Sequence, residues 1–335
     1  MKNPRLIAHI PLIAALAAAT AVAPAAAQSS VVIFGRVDLS VTKQNSGTSG
    51  LNGTNGRLGT AGNRWDLRPG SAGRIGFRGS EDLGSGLKAS FLMEHRFNPD
   101  TGEPLTPFWQ ARSFVELSSV VAGTVYLGRE YIPAFWPALR LDPWGFDSVG
   151  TLGPKHQFAL YTVDGGIRTN NTLGYKTPRF AGLTANLAVA AGEGGRKRAV
   201  GGNVEYRQGA VYIGAGFDRV DSGSALALIG AAYDFKVVRP AITFVKSTVA
   251  GLDHTNISLA ATAPVGNGLL KLAVAKLDPD GANNDSTRLG VGYEHYLSKR
   301  TSLMANLGSG KQQGSLAGVA RTRTTVYEFG MKHNF

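Results

Sequence analysis

Apolar and polar residues alternate along most of this chain. In residues 326–335, VYEFGMKHNF, the large apolar residues Tyr327, Phe329, Met331 and Phe335 stand at odd positions. Glu328, Gly330, Lys332 and Asn334 lie between them. A period of two places one set on each face of a β-strand. This strand runs to the last residue with no polar tail after it. The same pattern recurs elsewhere. Val31, Ile33, Val37, Leu39 and Val41 share one face of a first segment, with Arg36, Asp38 and Ser40 on the other. In GLKASFLMEHRF, Leu87, Ala89, Phe91, Met93 and Phe97 oppose Lys88, Ser90, Glu94 and Arg96. In TRLGVGYEHY, Leu289, Val291 and Tyr293 oppose Arg288, Gly290 and Glu294.

Alternation alone fits a soluble sandwich, where the apolar face is a core, or a membrane barrel, where it meets lipid. The connections separate the two. Tight links at 81–86, 119–123, 207–210, 236–239, 264–268 and 298–301 alternate with long ones at 43–71, 98–107, 131–166, 278–286 and 309–321. Short turns at one end and longer loops at the other are the habit of outer-membrane barrels. The segments number about sixteen, an even count within the barrel range. A ring of that size leaves an aqueous channel rather than a packed interior. The expected fold is therefore all-β, a transmembrane antiparallel β-barrel of sixteen strands. In lipid no backbone group is left open, so the first and last strands must pair. Tyr327, Phe329 and Met331 then face lipid, with Phe335 in the aromatic girdle.

The N-terminus sets the compartment. Lys2 and Arg5 precede an apolar stretch that closes on Ala25, Ala26 and Ala27 before Gln28. This is the layout of a secretory signal peptide over residues 1–27, leaving 28–335 as the barrel. His9, Pro11 and Pro24 interrupt the run and argue against a membrane anchor. Cysteine is absent, which removes disulfides and thiolate metal sites. The formal charge is +12, an excess that points to an anionic partner.

Other chemistries find little support. GEGGRKR (192–198) is basic but has no aromatic platform or recognition helix beside it, so nucleic acid is not expected. An outer loop of that kind meets lipopolysaccharide phosphates or solvent. GSGKQQG (308–314) has the outline of a phosphate loop, but Gln312 replaces the required Ser or Thr and Ala305 the first Gly. The histidines are scattered, no pair has i, i+4 spacing, and there is no GxSxG elbow. Neither an enzyme nor a cofactor or metal site is expected.

Five stretches carry a resemblance: FGRVDLSV (34–41), GRIGFRGSEDLGSGLKASFLMEHRF (73–97), GTVYLGREY (123–131), RTNNTLGYKTPRFAGL (168–183) and the terminal GMKHNF. Together they span the chain from the first strand to the last. The sequence resembles the trimeric general diffusion porins of Gram-negative outer membranes, in their beta-proteobacterial branch. The resemblance implies a homotrimer in outer-membrane lipid, passive diffusion of small hydrophilic solutes, and a third loop (131–166) folded into the pore. It also implies that Phe335 signals to the barrel assembly machinery.

Strand parity points Arg36, Asp38, Arg74, Arg78, Glu94, Arg96 and Arg168 into the lumen. In the resembling family a basic wall faces acids on the inward loop. Arg36, Arg74 and Arg168 occupy matching motif positions, and Glu94 matches an acidic wall position. Arg112 lies in the corresponding strand, one residue out of step with the motif. Arg129 lies where a strand meets the long loop. Asp142 and Asp147 are the loop acids that would face the wall. The family's acidic run is thin here, which tilts the expected selectivity toward small anions. The competing expectation is a substrate-specific channel, with an organic acid or phosphate on the arginines.

Overall fold

The computed structural model describes residues 30–44, 65–151, 167–193, 197–249, 251–280, 285–312 and 323–335. The expected leader lies outside the described residues, as do residues 152–166 of the expected pore loop.

Among the described residues, seventeen strands and one short helix follow each other. The first part comprises β1 (Ser30–Gln44), β2 (Trp65–Pro69), β3 (Gly73–Gly84), β4 (Leu87–Phe97), β5 (Arg112–Ser119) and β6 (Gly123–Tyr131). Helix α1 (Phe135–Leu141) comes next, then β7 (Arg168–Lys176), β8 (Leu183–Ala190), β9 (Ala199–Gln208), β10 (Val211–Val220) and β11 (Ala225–Tyr233). The last part holds β12 (Arg239–Val249), β13 (Leu252–Val265), β14 (Gly268–Pro279), β15 (Ser286–Tyr296), β16 (Thr301–Gln312) and β17 (Arg323–Asn334).

The strands form one antiparallel sheet, and from β3 to β17 each pairs with the next. β1 pairs along one edge with β17, from Arg36↔Asn334 to Gln44↔Val326. Along its other edge it pairs with β2 at 39–43 and with β3 at 30–36. β2 and β3 are thus two halves of one stave, interrupted at 70–72, and the ring has sixteen staves. The segment 65–69 falls inside what sequence reads as a long link. Its alternation covers only five residues, too few to stand out from a loop. Closure removes the free edges that lipid forbids.

All six tight links read from sequence fall at one end of the barrel. The β3–β4 turn shows why they are rich in glycine. Gly84, Ser85 and Gly86 all take positive φ (81°, 52°, 75°), which glycine adopts without steric cost. No described helix is long and apolar enough to cross a membrane.

The two faces separate cleanly. On β17, Tyr327, Phe329 and Met331 are about half exposed on the outside, while Glu328 between them is 0% exposed on the inside. His333, in the outer row, meets the Thr301 hydroxyl at 2.9 Å near the short-turn end. The seam is closed by the last residue. Phe335 N–H donates to the Gly35 carbonyl at 3.1 Å, and Gly35 N–H donates back at 3.0 Å. The Phe335 ring lies where a Gly35 side chain would be, 2.2 Å from an ideal Cβ. Gly35 therefore has to lack a side chain for the ring to settle.

The apolar clusters lie inside the ring, and among the described residues each is built on the β6–β7 segment. Ile132, Ala134, Phe135, Ala138 and Phe146 pack against Leu226, Leu228 and Val245 on the inner wall. Trp144 packs on Ala273 and Ala275. Leu141 packs near Tyr212, Ala232 and Ala241.

Candidate functional site

The β6–β7 segment leaves the wall at Tyr131 and folds into the barrel. α1 carries Pro137 in its first turn, where the missing N–H breaks no helical hydrogen bond. The helix needs a close approach to the wall, and inward-facing glycines supply it. Ideal Cβ atoms would meet Pro133 from Gly201 (3.1 Å), Pro137 from Gly214 (2.6 Å), Ala134 from Gly216 (2.8 Å) and Leu141 from Gly230 (2.4 Å). Asn203 Nδ2 donates to the Pro133 carbonyl at 2.6 Å. Further on, the chain runs across Gly290 and Gly308, where a Cβ would strike the carbonyls of Gly150 and Val149. Trp144 Nε1 donates to Asn306 at 2.8 Å.

The loop tip is bolted to the seam. Glu328, fully buried on β17, accepts from the Ser148 hydroxyl, from Val149 N–H at 3.2 Å and from Asn306 Nδ2 at 3.0 Å. Ser148 N–H donates to the Gly70 carbonyl at 2.9 Å. Phe146 and Ser148 both hold positive φ (65° and 70°), which costs energy in side-chain-bearing residues and persists where the surroundings impose it.

This course carries Asp147 to the opposite wall. There the β register sets Arg36 against Arg74 and Arg74 against Arg96. Like charges directly opposite on a sheet repel. Asp147 relieves the first pair, 2.7 Å from Arg36 Nη1 and 3.7 Å from Arg74 Nη2. Arg36 Nε also donates to Asn334 at 2.8 Å. Glu94 takes Arg96, accepting from its Nε at 2.6 Å. Arg168 donates to the Tyr131 hydroxyl at 2.7 Å and lies 4.4 Å from the centre of that ring. Arg96 reaches the same hydroxyl at 3.3 Å, so Tyr131 joins the two arginines.

The remaining residues singled out from sequence lie as follows. Arg112 faces inward and makes a two-pronged pair with Glu130, at 2.8 and 2.5 Å, that cancels both charges. Its parity is obscure in sequence because the inward row of its strand also carries the apolar Phe114. Arg129 pairs in register with Ser113 and donates to the Gln110 carbonyl at 2.6 Å and to Asn170. It anchors the rim and does not join the arginine row. Asp142 is used within the loop, accepting from Trp144 N–H at 2.7 Å and the Thr151 hydroxyl at 2.5 Å. Asp38 points inward but is 2% exposed and held by Ser71 at 2.9 Å, so it stands behind the water path. Arg78 lies lower on the wall, over the Phe34 ring.

Sequence reasoning missed Tyr131, Glu130 and Glu328 as parts of the site, and also Arg68. Arg68 faces Ser40 in register from within the supposed loop. Glu328 was visible as a polar member of an alternating strand; its role was not, because its loop partners, Ser148 and Val149, lie about 180 residues away.

Arg36 and Arg74 share one carboxylate, Asp147, while Arg168 meets the Tyr131 hydroxyl. Guanidinium stays charged at all working pH values. A closed sheet with a lipid-facing exterior, a wet lumen and an internal loop that narrows it defines a pore-forming protein of the outer membrane. The chain belongs to the Gram-negative porin family, whose pattern it matches over residues 14–315. It is 34% identical to the outer membrane porin protein 32 of Delftia acidovorans, over 88% of this chain and 87% of that one. Among solved structures it is similar to the anion-selective porin from Comamonas acidovorans. That likeness has a TM-score of 0.78 and 29% identity, over 92% of this chain and 100% of that chain. The trimer form of Vibrio cholerae OmpT shares the fold at a TM-score of 0.69 and 12% identity, over 92% of this chain and 99% of that one.

Proposed function

We propose that this porin is an anion-preferring, water-filled diffusion channel that works as a homotrimer. The observation that carries the reading is the charge balance beside the loop tip: four guanidiniums, Arg36, Arg74, Arg96 and Arg168, stand beside two carboxylates, Asp147 and Glu94, with Arg168 on the Tyr131 hydroxyl. Low-dielectric walls focus the field of such a cluster, concentrating anions and repelling cations. The Comamonas structure named as anion-selective supports the same reading, and the trimeric OmpT structure supports the assembly. Phe335, clasped to Gly35, is proposed as the signal to the assembly machinery. Residues 1–27 are proposed as a cleaved leader.

The test is the reversal potential of purified protein in a planar bilayer under a KCl gradient. A chloride-favouring potential that disappears when Arg36, Arg74 and Arg168 are replaced by Ser supports the proposal. A potassium-favouring wild type sinks the selectivity, and folded protein that forms no channel sinks the function.

A further inference from the structure

Below the arginine row the same wall changes character. Four residues nearer the short turns, roughly 13 Å along the strands, Val32 faces Arg78, Arg78 faces Leu92 and Leu92 faces Phe114. All four point into the lumen by parity, and they line a cavity of about 310 Å³. Apolar side chains on a wet channel wall leave apolar surface in water, an unfavourable state that a ligand can relieve.

The cations of this cavity are uncommitted. Arg78 lies over the Phe34 ring at 5.5 Å and has no carboxylate partner among the described residues. Lys88 also lines the cavity without one. The residue opposite it in register, Asp82, turns its carboxylate to the Gly84 N–H of the β3–β4 turn at 2.9 Å. The acid that does line the cavity, Glu116, is taken by Lys176 at 3.3 Å. Hydroxyls of Ser80 and Ser90, paired in register, supply donors beside the cations. The arginine row above holds its charge against acids and a tyrosine hydroxyl. This lower cavity instead joins free positive charge to an apolar floor.

We propose that the cavity is a second binding station, selective for small organic anions with an apolar body, such as aromatic monocarboxylates. The carboxylate would meet Arg78 and Lys88, and the body would cover Leu92 and Phe114. An inorganic anion would use only the first half of this surface. The inference rests on the channel being open to anions, and the experiment separates the two.

The test is block of the chloride current in a planar bilayer by sodium benzoate, sodium acetate and neutral benzyl alcohol. Benzoate is expected to reach half-block at about a tenfold lower concentration than acetate, the effect of one apolar ring finding apolar surface. Benzyl alcohol is expected not to block. Arg78→Ser should bring benzoate down to the acetate level. Leu92→Ser, which leaves the charges in place, should do the same and serves if Arg78→Ser does not assemble. Equal block by benzoate and acetate in a chloride-preferring wild type overturns the station and leaves the channel reading intact. A wild type without chloride preference overturns both. Block by benzyl alcohol, or a benzoate preference that survives Arg78→Ser and Leu92→Ser but disappears in Arg74→Ser, overturns the assignment to this cavity.

Discussion

Asp147 stands between two guanidiniums that the sheet register forces together, and its removal has two opposed consequences. The repulsion between Arg36 and Arg74 is no longer relieved, and the lumen gains net positive charge. Asp147→Asn should therefore raise the chloride-to-potassium permeability ratio, by roughly threefold if field focusing dominates. The reversal potential in a KCl gradient reads this directly, and a fall in the ratio would mean that loop displacement outweighs charge. Arg36→Lys keeps the charge but loses the planar fork that serves Asn334 and Asp147 together. It should shift the potential less than Arg36→Ser does. These residues were legible in sequence because parity on β1 and β3 is unbroken and each arginine falls on the polar face. Arg129 was not, because the register shift at Gly128 breaks the count, and Arg112 was not, because the inward row of its strand also carries the apolar Phe114. The cancellation of Arg112 by Glu130 depends on a partner across the next strand.

At the scale of elements, the constriction is a contact between a loop and a wall. Gly216→Val places a side chain against the Ala134 backbone, 2.8 Å from an ideal Cβ. Overpacking of this kind costs about 1–3 kcal/mol. α1 should move into the lumen, lowering single-channel conductance while the strands still form. Unchanged conductance would show that the helix tolerates the methyls without shifting. Glu328→Ala acts at the other end of the loop. It strips acceptors from three buried donors, each left unsatisfied at about 1–3 kcal/mol. The expected result is greater open-channel noise and a lower temperature for loss of the folded gel band. The strands were readable because their period of two is local. The seat of the loop was not. Its glycines look like any strand-weakening glycine until the loop that covers them is placed.

For the whole molecule, the field in the lumen is a sum over charged walls, and salt screens it. The Debye length falls from about 10 Å at 0.1 M to about 3 Å at 1 M. Chloride preference should therefore be strong in dilute KCl and weak near molar KCl. A ratio independent of salt would point to direct coordination instead of a field. Closure of the ring is tested at Gly35, where any Cβ meets the Phe335 ring and also the Arg74 carbonyl at 2.5 Å. Gly35→Val should reduce the yield of heat-modifiable folded protein and, through Arg74, disturb the basic wall in what does fold. Fold class and ring size followed from alternation and loop lengths. The halved stave β2/β3 did not, since pairing of 65–69 with β1 is a long-range fact.

The glycine bed under α1 has a practical corollary. Gly201, Gly214, Gly216 and Gly230 touch the loop from behind, yet the thickness they leave empty decides how far the loop projects toward the arginines. They behave like the shim under a gauge: invisible at the aperture, but setting its reading. Swapping the loop alone between channels would therefore not transplant a bore, whereas a methyl added to one of these positions would recalibrate it without altering a single charge.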